Sequence, residues 1–326
     1  WGISAKLWCH SGHCRTVVRV AKICDLTVTF ATYKTMAEKV NAKRSLDDDE
    51  SVRKYQRTGP TPKHLQRLHH KLDGTEVPLL SAEEIDALVE IDVQWLGAGS
   101  YGEAFLNADK DVVLKFSRDY NTFVSSINEA KSMMTLKDIK GVQQLVGVCP
   151  ERFVLVTKYA GYTIRKWIGK KSPLLPLQLV EVAISIAEIF AKIHLSGVVH
   201  NDIKSDNLCL LFTTKGLKAT LIDFGMAKNN GIKIELEGEW DPEQCNPPEF
   251  FKELGGECSP LSDVYSIGGL MDSIYKRAGL DNPELSEWIR KSQSQEVSER
   301  GNLEGLLNLL RAERNILEES TYLPVS

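Results

Sequence analysis

The chain lacks the basic excess that marks most nucleic-acid-binding domains. Its formal net charge is −4 and its pI is near 6.0, so a nucleic-acid partner is not expected. It also lacks a long apolar run. The longest stretches are strand-length or broken by charge, and no membrane span is visible. The segment TVVRVAKICDLTVTF (16–30) is interrupted by Arg19, Lys22 and Asp25 and cannot serve as a signal-peptide core. Nor is there a disulfide framework. Seven cysteines, an odd number, lie scattered at 9, 14, 24, 149, 209, 245 and 258, several within apolar runs. They read as reduced thiols of an intracellular protein, cytoplasmic or nuclear. CHSGHC (9–14) pairs two Cys with two His, but zinc ligand pairs are normally separated by a larger loop, so no metal is assigned there. No internal repeat shows. A chain that opens on Trp1 is expected to be a fragment or a processed product.

What is present is enough for one large domain or two moderate ones: 326 residues, 42% hydrophobic and 26% charged. Three textures follow one another. Residues 1–80 mix weak apolar patterning with charge and proline, and are expected to be a lead-in, flexible or marginally folded. At Ser81 the texture changes. Ser81 and Glu84 form a capping box opening a short helix through Val89. IDVQWLGAGSYGEAFLNADKDVVLKFS (91–117) then reads as strand, glycine turn, strand, polar turn, strand. A helix is expected from about Asn121 to Lys137, followed by two more strands, LVGVC and FVLVTKY. From Leu174 the period lengthens, and Leu179, Ala183, Ile186, Phe190 and Ile193 fall on one helical stripe. LCLLF and LKATLID, joined by TTKG, form a hairpin, and the remainder is helical. The predicted architecture is α+β, a small β-rich lobe (81–159) before a larger α-helical lobe (160–326).

Four features carry chemistry. Gly97, Gly99 and Gly102 lie in a turn between two strands, where glycine lets backbone N–H groups approach a polyanion. A strand follows them rather than a helix, which favours a phosphate-covering hairpin over a dinucleotide fingerprint. Lys115 sits in an apolar strand and needs a countercharge; Glu129, on the next helix, can supply it. HNDIKSDN (200–207) holds Asp202 and Asn207 at one end of the hairpin, and Asp223 stands at the other. Folding the hairpin brings the Asn207 amide oxygen and the Asp223 carboxylate together, hard oxygen donors of the kind Mg²⁺ takes. Asp202 is left free to accept a hydroxyl proton, with Lys204 nearby for a phosphoryl group.

In this order these residues resemble the signature of the eukaryotic-type protein kinase family, from about Ile91 to the end. GAGSYG matches the glycine loop, HNDIKSDN the catalytic loop and Asp223-Phe224-Gly225 the DFG motif. NPPEF carries Pro248 and Glu249 of the APE motif, and Asp263 and Arg300 match two later positions, Arg300 as partner of Glu249. The resemblance implies a bilobal fold using ATP and Mg²⁺ on a protein substrate. Asp202 would be catalytic base, Lys204 the γ-phosphate contact, Lys115 with Glu129 the α/β-phosphate anchor, and Asn207 and Asp223 the metal ligands. Gly97, Ala98, Gly99, Ser100, Tyr101 and Gly102 would cover the nucleotide. Ala104, Val113, Cys209, the gatekeeper Thr157 and the hinge residues Lys158, Tyr159 and Ala160 would surround the adenine.

Three departures stand out. Ala104 and Val113 reverse the usual Val and Ala, which we read as a compensating swap. Asn201 replaces the arginine of the HRD motif, and Met226–Asn246 contains no Ser, Thr or Tyr. Acceptor and arginine partner are thus both missing, which predicts activity without activation-loop phosphorylation. Lys204 resembles the serine/threonine branch, but the Thr that usually precedes the peptide-docking stretch is absent, with Asp241 or Pro242 in that region. Glu235, Glu237, Glu239 and Asp241 would favour basic substrates unless they form a solvated loop. The rival readings are a small-molecule kinase and a non-catalytic, ATP-binding pseudokinase scaffold; the first is disfavoured by NPPEF and the Asp263/Arg300 pair, the second by the presence of Lys115, Asp202 and Asp223.

Overall fold

A computed structural model describes residues 60–90, 93–99, 102–169, 174–214, 216–241 and 245–320. CHSGHC, most of the lead-in, and Ser100 and Tyr101 of the glycine turn lie outside these residues. The first elements among the described residues are α1 (Pro62–Leu72) and α2 (Ala82–Val89). Thr61 caps α1, accepting from His64 N–H at 3.3 Å, with Pro62 in the first turn, where its missing N–H costs nothing. At α2 the capping box forms as expected, Ser81 Oγ accepting from Glu84 N–H (3.2 Å) and Glu84 Oε2 from Ser81 N–H (2.7 Å). Residues 60–80 were expected to be a marginal lead-in, yet they contain α1, and Leu68 and Leu72 within it are buried. The structured region therefore begins before the change of texture at Ser81, because Leu65, Leu68 and Leu72 already make a helical stripe between the basic residues.

Five strands follow in an antiparallel sheet ordered β1-β2-β3-β5-β4: β1 (Gln94–Ala98), β2 (Gly102–Asn107), β3 (Val112–Ser117), β4 (Leu145–Cys149) and β5 (Val154–Lys158). Helix α3 (Tyr120–Thr135) crosses between β3 and β4 and packs on β3, β4 and β5. The two-residue alternation of a strand divides the sheet's faces. Phe105, Leu114, Phe116, Val154 and Val156 point one way into a core shared with Ile85 of α2. Ala104, Lys115 and Leu155 are directly opposite one another across β2, β3 and β5 and point the other way.

The second lobe is built on α4 (Pro176–Leu195), which follows the short β6 (Tyr162–Thr163). Its predicted stripe, Leu179, Ala183, Ile186, Phe190 and Ile193, is fully buried, worth about 1.5–3 kcal/mol for each large side chain. After β7 (Val198–Val199), the predicted hairpin appears as β8 (Leu208–Thr213) and β9 (Gly216–Leu221), paired from Leu208↔Leu221 to Thr213↔Gly216. Beyond it lie β10 (Lys228–Asn229), β11 (Lys233–Ile234) and β12 (Gly256–Glu257), then α5 (Pro260–Ala278), α6 (Pro283–Ser292) and α7 (Leu303–Ser320). Helix α4 packs against α5, α7 and β9, so the hairpin rests on a helix with a fully buried apolar face.

Candidate active site

A cavity of about 790 Å³ opens between the sheet and the hairpin. Its roof is the second face of the sheet, with Ala104, Val113, Lys115, Leu155 and Thr157; its floor is Cys209 and Ile222. Lys115 alternates out of the core because Leu114 and Phe116 take the opposite face. Its Nζ lies 2.8 Å from Glu129 Oε2 and 3.4 Å from Asp223 Oδ1. Glu129 is 3% exposed and also accepts the Phe224 N–H. Burial opposes the charge on Lys115, but Glu129 first and Asp223 second outweigh it and hold the ammonium above its usual pKa.

The glycine turn closes with Gly99 N–H donating to Gly102 O at 2.8 Å. A Cβ on Gly102 would land on the Phe116 carbonyl oxygen, so only glycine lets β2 approach β3 here. A Cβ on Gly97 or Gly99 would meet no protein atom within 4 Å. Both line the cavity, and bare backbone facing open space fits a polyphosphate.

At the hairpin's base, Ile222 N–H donates to Asn207 O at 2.8 Å, which brings Asn207 beside Asp223 as the folding argument requires. Asn207 Nδ2 donates to Asp202 O and Oδ2, both at 2.8 Å. That turns the amide so that its oxygen is the atom left for a cation. Burial alone would raise Asp223, but Lys115 foremost, with His200, Gly225 N–H and Lys204, holds its carboxyl below the ordinary value. A carboxylate and an amide oxygen are a donor pair suited to Mg²⁺, which keeps few protein ligands.

One expectation is refined. Asp202 stays available to a hydroxyl but already has partners: Lys204 Nζ lies 2.9 and 2.8 Å from its two oxygens, and Asn207 Nδ2 adds a third hydrogen bond. The order of residues does not reveal that a lysine two positions on folds back onto the aspartate. Lys158 also stands apart. Its exposed side chain does not line the cavity, whereas Tyr159 and Ala160 do.

The backbone of the catalytic loop is held from behind. Asp263, fully buried at the start of α5, accepts His200 N–H and Asn201 N–H at 2.9 Å each and pairs with His194 Nε2 at 2.8 Å. His200 is buried among Phe190 and Phe224. Its Nδ1 accepts Asp202 N–H at 3.3 Å, so the proton sits on Nε2, directed at Ile222 O (3.3 Å). Burial pushes its pKa down, only partly offset by Asp263, Asp202 and Asp223.

Asn201 and Asp223 both adopt left-handed backbone, φ 64° and 63°, a conformation that Asn and Asp tolerate better than other side chains. In place of an arginine, Asn201 sends Nδ2 to Val199 O (3.0 Å) and Met226 O (3.2 Å). The segment beyond is tied by backbone. β10 pairs with β7 and β11 with β12, Gly231 N–H donates to Cys258 O and Leu236 N–H to Phe250 O, both 2.8 Å. At its end Glu249 meets Arg300 as expected, in a buried two-pronged pair of 2.8 and 2.7 Å.

Sequence reasoning missed Gln143, which donates to Thr157 Oγ1 at 2.9 Å at the back of the cavity, and the Arg165–Asp206 pair (3.0 Å) at its mouth. Gln143 lies outside any regular element and carried no periodic signal. Asp263 was expected at the start of a buried helix, but its hold on the backbone N–H groups of His200 and Asn201 was not foreseen.

A family model, the protein kinase domain, matches residues 91–299. The chain is 28% identical over 180 residues, 51% of its length, to a probable serine/threonine-protein kinase fnkB of Dictyostelium discoideum. It is 23% identical over 217 residues, 63% of its length, to the membrane-associated tyrosine- and threonine-specific cdc2-inhibitory kinase wee-1.3 of Caenorhabditis elegans. It is 27% identical over 197 residues, 55% of its length, to a probable serine/threonine-protein kinase PkwA of Thermomonospora curvata. These matches cover 31%, 30% and 25% of the relatives, so the chain spans about a third of their length or less.

Proposed function

This chain belongs to the protein kinase family, and on that premise we propose that it transfers the γ-phosphoryl group of ATP to a serine or threonine hydroxyl of a protein, with no prior phosphate on its activation segment. The observation that carries this reading is Lys115, bridged to Glu129 and Asp223 in a cavity that Asp202, Lys204 and Asn207 also line.

In this mechanism Lys115, aimed by Glu129, binds the α- and β-phosphates, and the glycine turn covers them with backbone N–H groups. Asn207 and Asp223 would hold Mg²⁺, which when bound neutralises phosphate charge. Asp202 orients the acceptor hydroxyl and accepts its hydrogen. Lys204, held on Asp202 by the hydrogen bonds described above and lining the same cavity, would balance charge on the transferred phosphoryl. Asp263 and His200 keep the loop's backbone fixed throughout. Independence from phosphorylation is supported by the backbone ties of residues 226–236 and by Asn201, whose amide occupies itself with Met226 instead of awaiting a phosphate.

The experiment is labelling of a generic protein mixture and of the chain itself by a phosphate-free bacterial preparation, with Asp202→Asn as control and the phosphoamino acids identified. Label on serine or threonine, lost in Asp202→Asn, is expected. A preparation that binds ATP yet transfers nothing, or that works only after another kinase modifies it, refutes the corresponding part of the proposal.

A further inference from the structure

Residues 62–80 follow α3 along its whole length. His64 stacks on Tyr120, the first residue of α3, with ring centroids 4.5 Å apart and planes 26° from parallel. Lys131, well along α3, donates Nζ to Lys71 O at 2.8 Å. Just beyond the end of α3, Lys137 pairs with Glu76 at 3.1 Å. Between these points α1 packs on α3, and Leu68, Leu72 and Val77 are 0%, 6% and 7% exposed. The segment then joins the sheet. Val148 of β4 donates its N–H to Pro78 O and accepts from Leu80 N–H, both at 2.9 Å. The approach is so close that a Cβ on Gly147 would stand 2.9 Å from both the Leu80 side chain and the Pro78 carbonyl oxygen.

Among the described residues, helix α3 thus lies between the sheet and residues 62–80. Glu129 lies between the attachment points at Tyr120 and Lys131, and its carboxylate reaches across to Lys115. The ion pair at Lys137 is exposed and weak, and the stack at His64 is only half-buried, so the buried leucines carry the seating. A helix free to rock by an ångström would lengthen a 2.8 Å hydrogen bond past its useful range.

We propose that residues 62–80 are a positioning brace: they press α3 against the sheet and so keep Glu129 on Lys115. The consequence for catalysis rests on the phosphotransfer reading above; the mechanical claim does not.

The test uses the full chain as four proteins, the parent, Leu68→Ala, Glu129→Gln and the double variant, with two readouts. Amide hydrogen exchange compares α3 with α7, which the brace does not touch. Leu68→Ala should accelerate exchange in Tyr120–Thr135 and leave Leu303–Ser320 unchanged. It should lower kcat/KM by on the order of tenfold to a hundredfold, the scale of a slightly misplaced catalytic group. In the Glu129→Gln background most of that loss should vanish, because the brace has nothing left to position. Should Leu68→Ala fail to fold, the surface variant His64→Ala/Lys137→Ala is read by the same criteria, with a smaller loss expected. Unchanged exchange in α3, or an equal loss in both backgrounds, overturns the proposal. If no protein transfers phosphate, the phosphotransfer reading falls and the exchange result alone decides the brace.

Discussion

Replacing Arg300 by methionine isolates the lock at the end of the activation segment. The Arg300 side chain is fully buried. It gives two parallel hydrogen bonds to Glu249, one to Leu261 O (3.1 Å) and one to Ser294 O (2.9 Å), and its guanidinium lies 4.9 Å from the Tyr265 ring. Methionine fills much of the same volume but supplies no donor. Glu249, 5% exposed, would keep only the Ser262 hydroxyl at 3.0 Å. Stranding one partner of a buried ion pair costs about 3–5 kcal/mol. At about 2–4 °C per kcal/mol for a domain of this order of size, Tm should fall by roughly 6–20 °C. The double variant Arg300→Met/Glu249→Met removes both charges and should recover at least half of that loss, since well-packed apolar replacements of buried pairs are often near neutral. Thermal melts of parent, both singles and the double close the cycle. A drop under about 3 °C for Arg300→Met, or a double variant that loses the sum of the singles, would show that the stranded charge is not the source of the effect.

Two further outcomes follow from the cavity and the loop behind it. Ala104 and Val113 are diagonal neighbours on the roof, since Ala104 pairs with Lys115 and Leu106 with Val113; Ala104→Val should crowd the adenine and weaken ATP binding by about tenfold, in line with overpacking costs of 1–3 kcal/mol, while Ala104→Val/Val113→Ala should restore it. Equal ATP titrations of the single variant and the parent would remove the basis for the swap. His200 is neutral in the fold with its pKa below the ordinary 6.5, so below that pH the unfolded chain binds more protons than the folded one. Stability should therefore decline as pH falls from about 6.5, by up to about 1.4 kcal/mol per unit, and His200→Gln should flatten the slope; parallel denaturation profiles from pH 7.5 to 5.5 would contradict this.

The β-rich lobe was legible because its strands are short, alternate cleanly and are punctuated by glycine and Asp-Lys turns. The hairpin was legible for the same reason, and its two ends located Asn207 and Asp223 before any coordinate did. The α4 stripe needed only its period. Residues 60–80 were obscured by composition: Thr61-Pro62 is a sound helix start, and Leu65, Leu68 and Leu72 are spaced for burial, but the histidines, lysines and arginine between them gave the stretch a solvated texture. Burial there depends on α3, a partner that lies sixty residues away in the chain. The attachment of Lys204 to Asp202 was hidden for another reason. Spacing fixes where two side chains begin, whereas their meeting depends on rotamers set by Asn207 and the loop. Asn201 was recognised as a substitution, and its new bond to Met226 O became visible only with the path of the segment.

Phe224 sits at 1% exposure, edge-on to His200 with centroids 5.0 Å apart, its N–H on Glu129 and the next residue but one anchored by Asn201. An inhibitor that gains its room by expelling this ring must break the aromatic contact, the Glu129 bond and the Asn201 tether together. Compounds shaped to the existing space between sheet and hairpin face no such penalty. Medicinal chemistry against this chain should therefore reward molecules that leave the phenylalanine where it is.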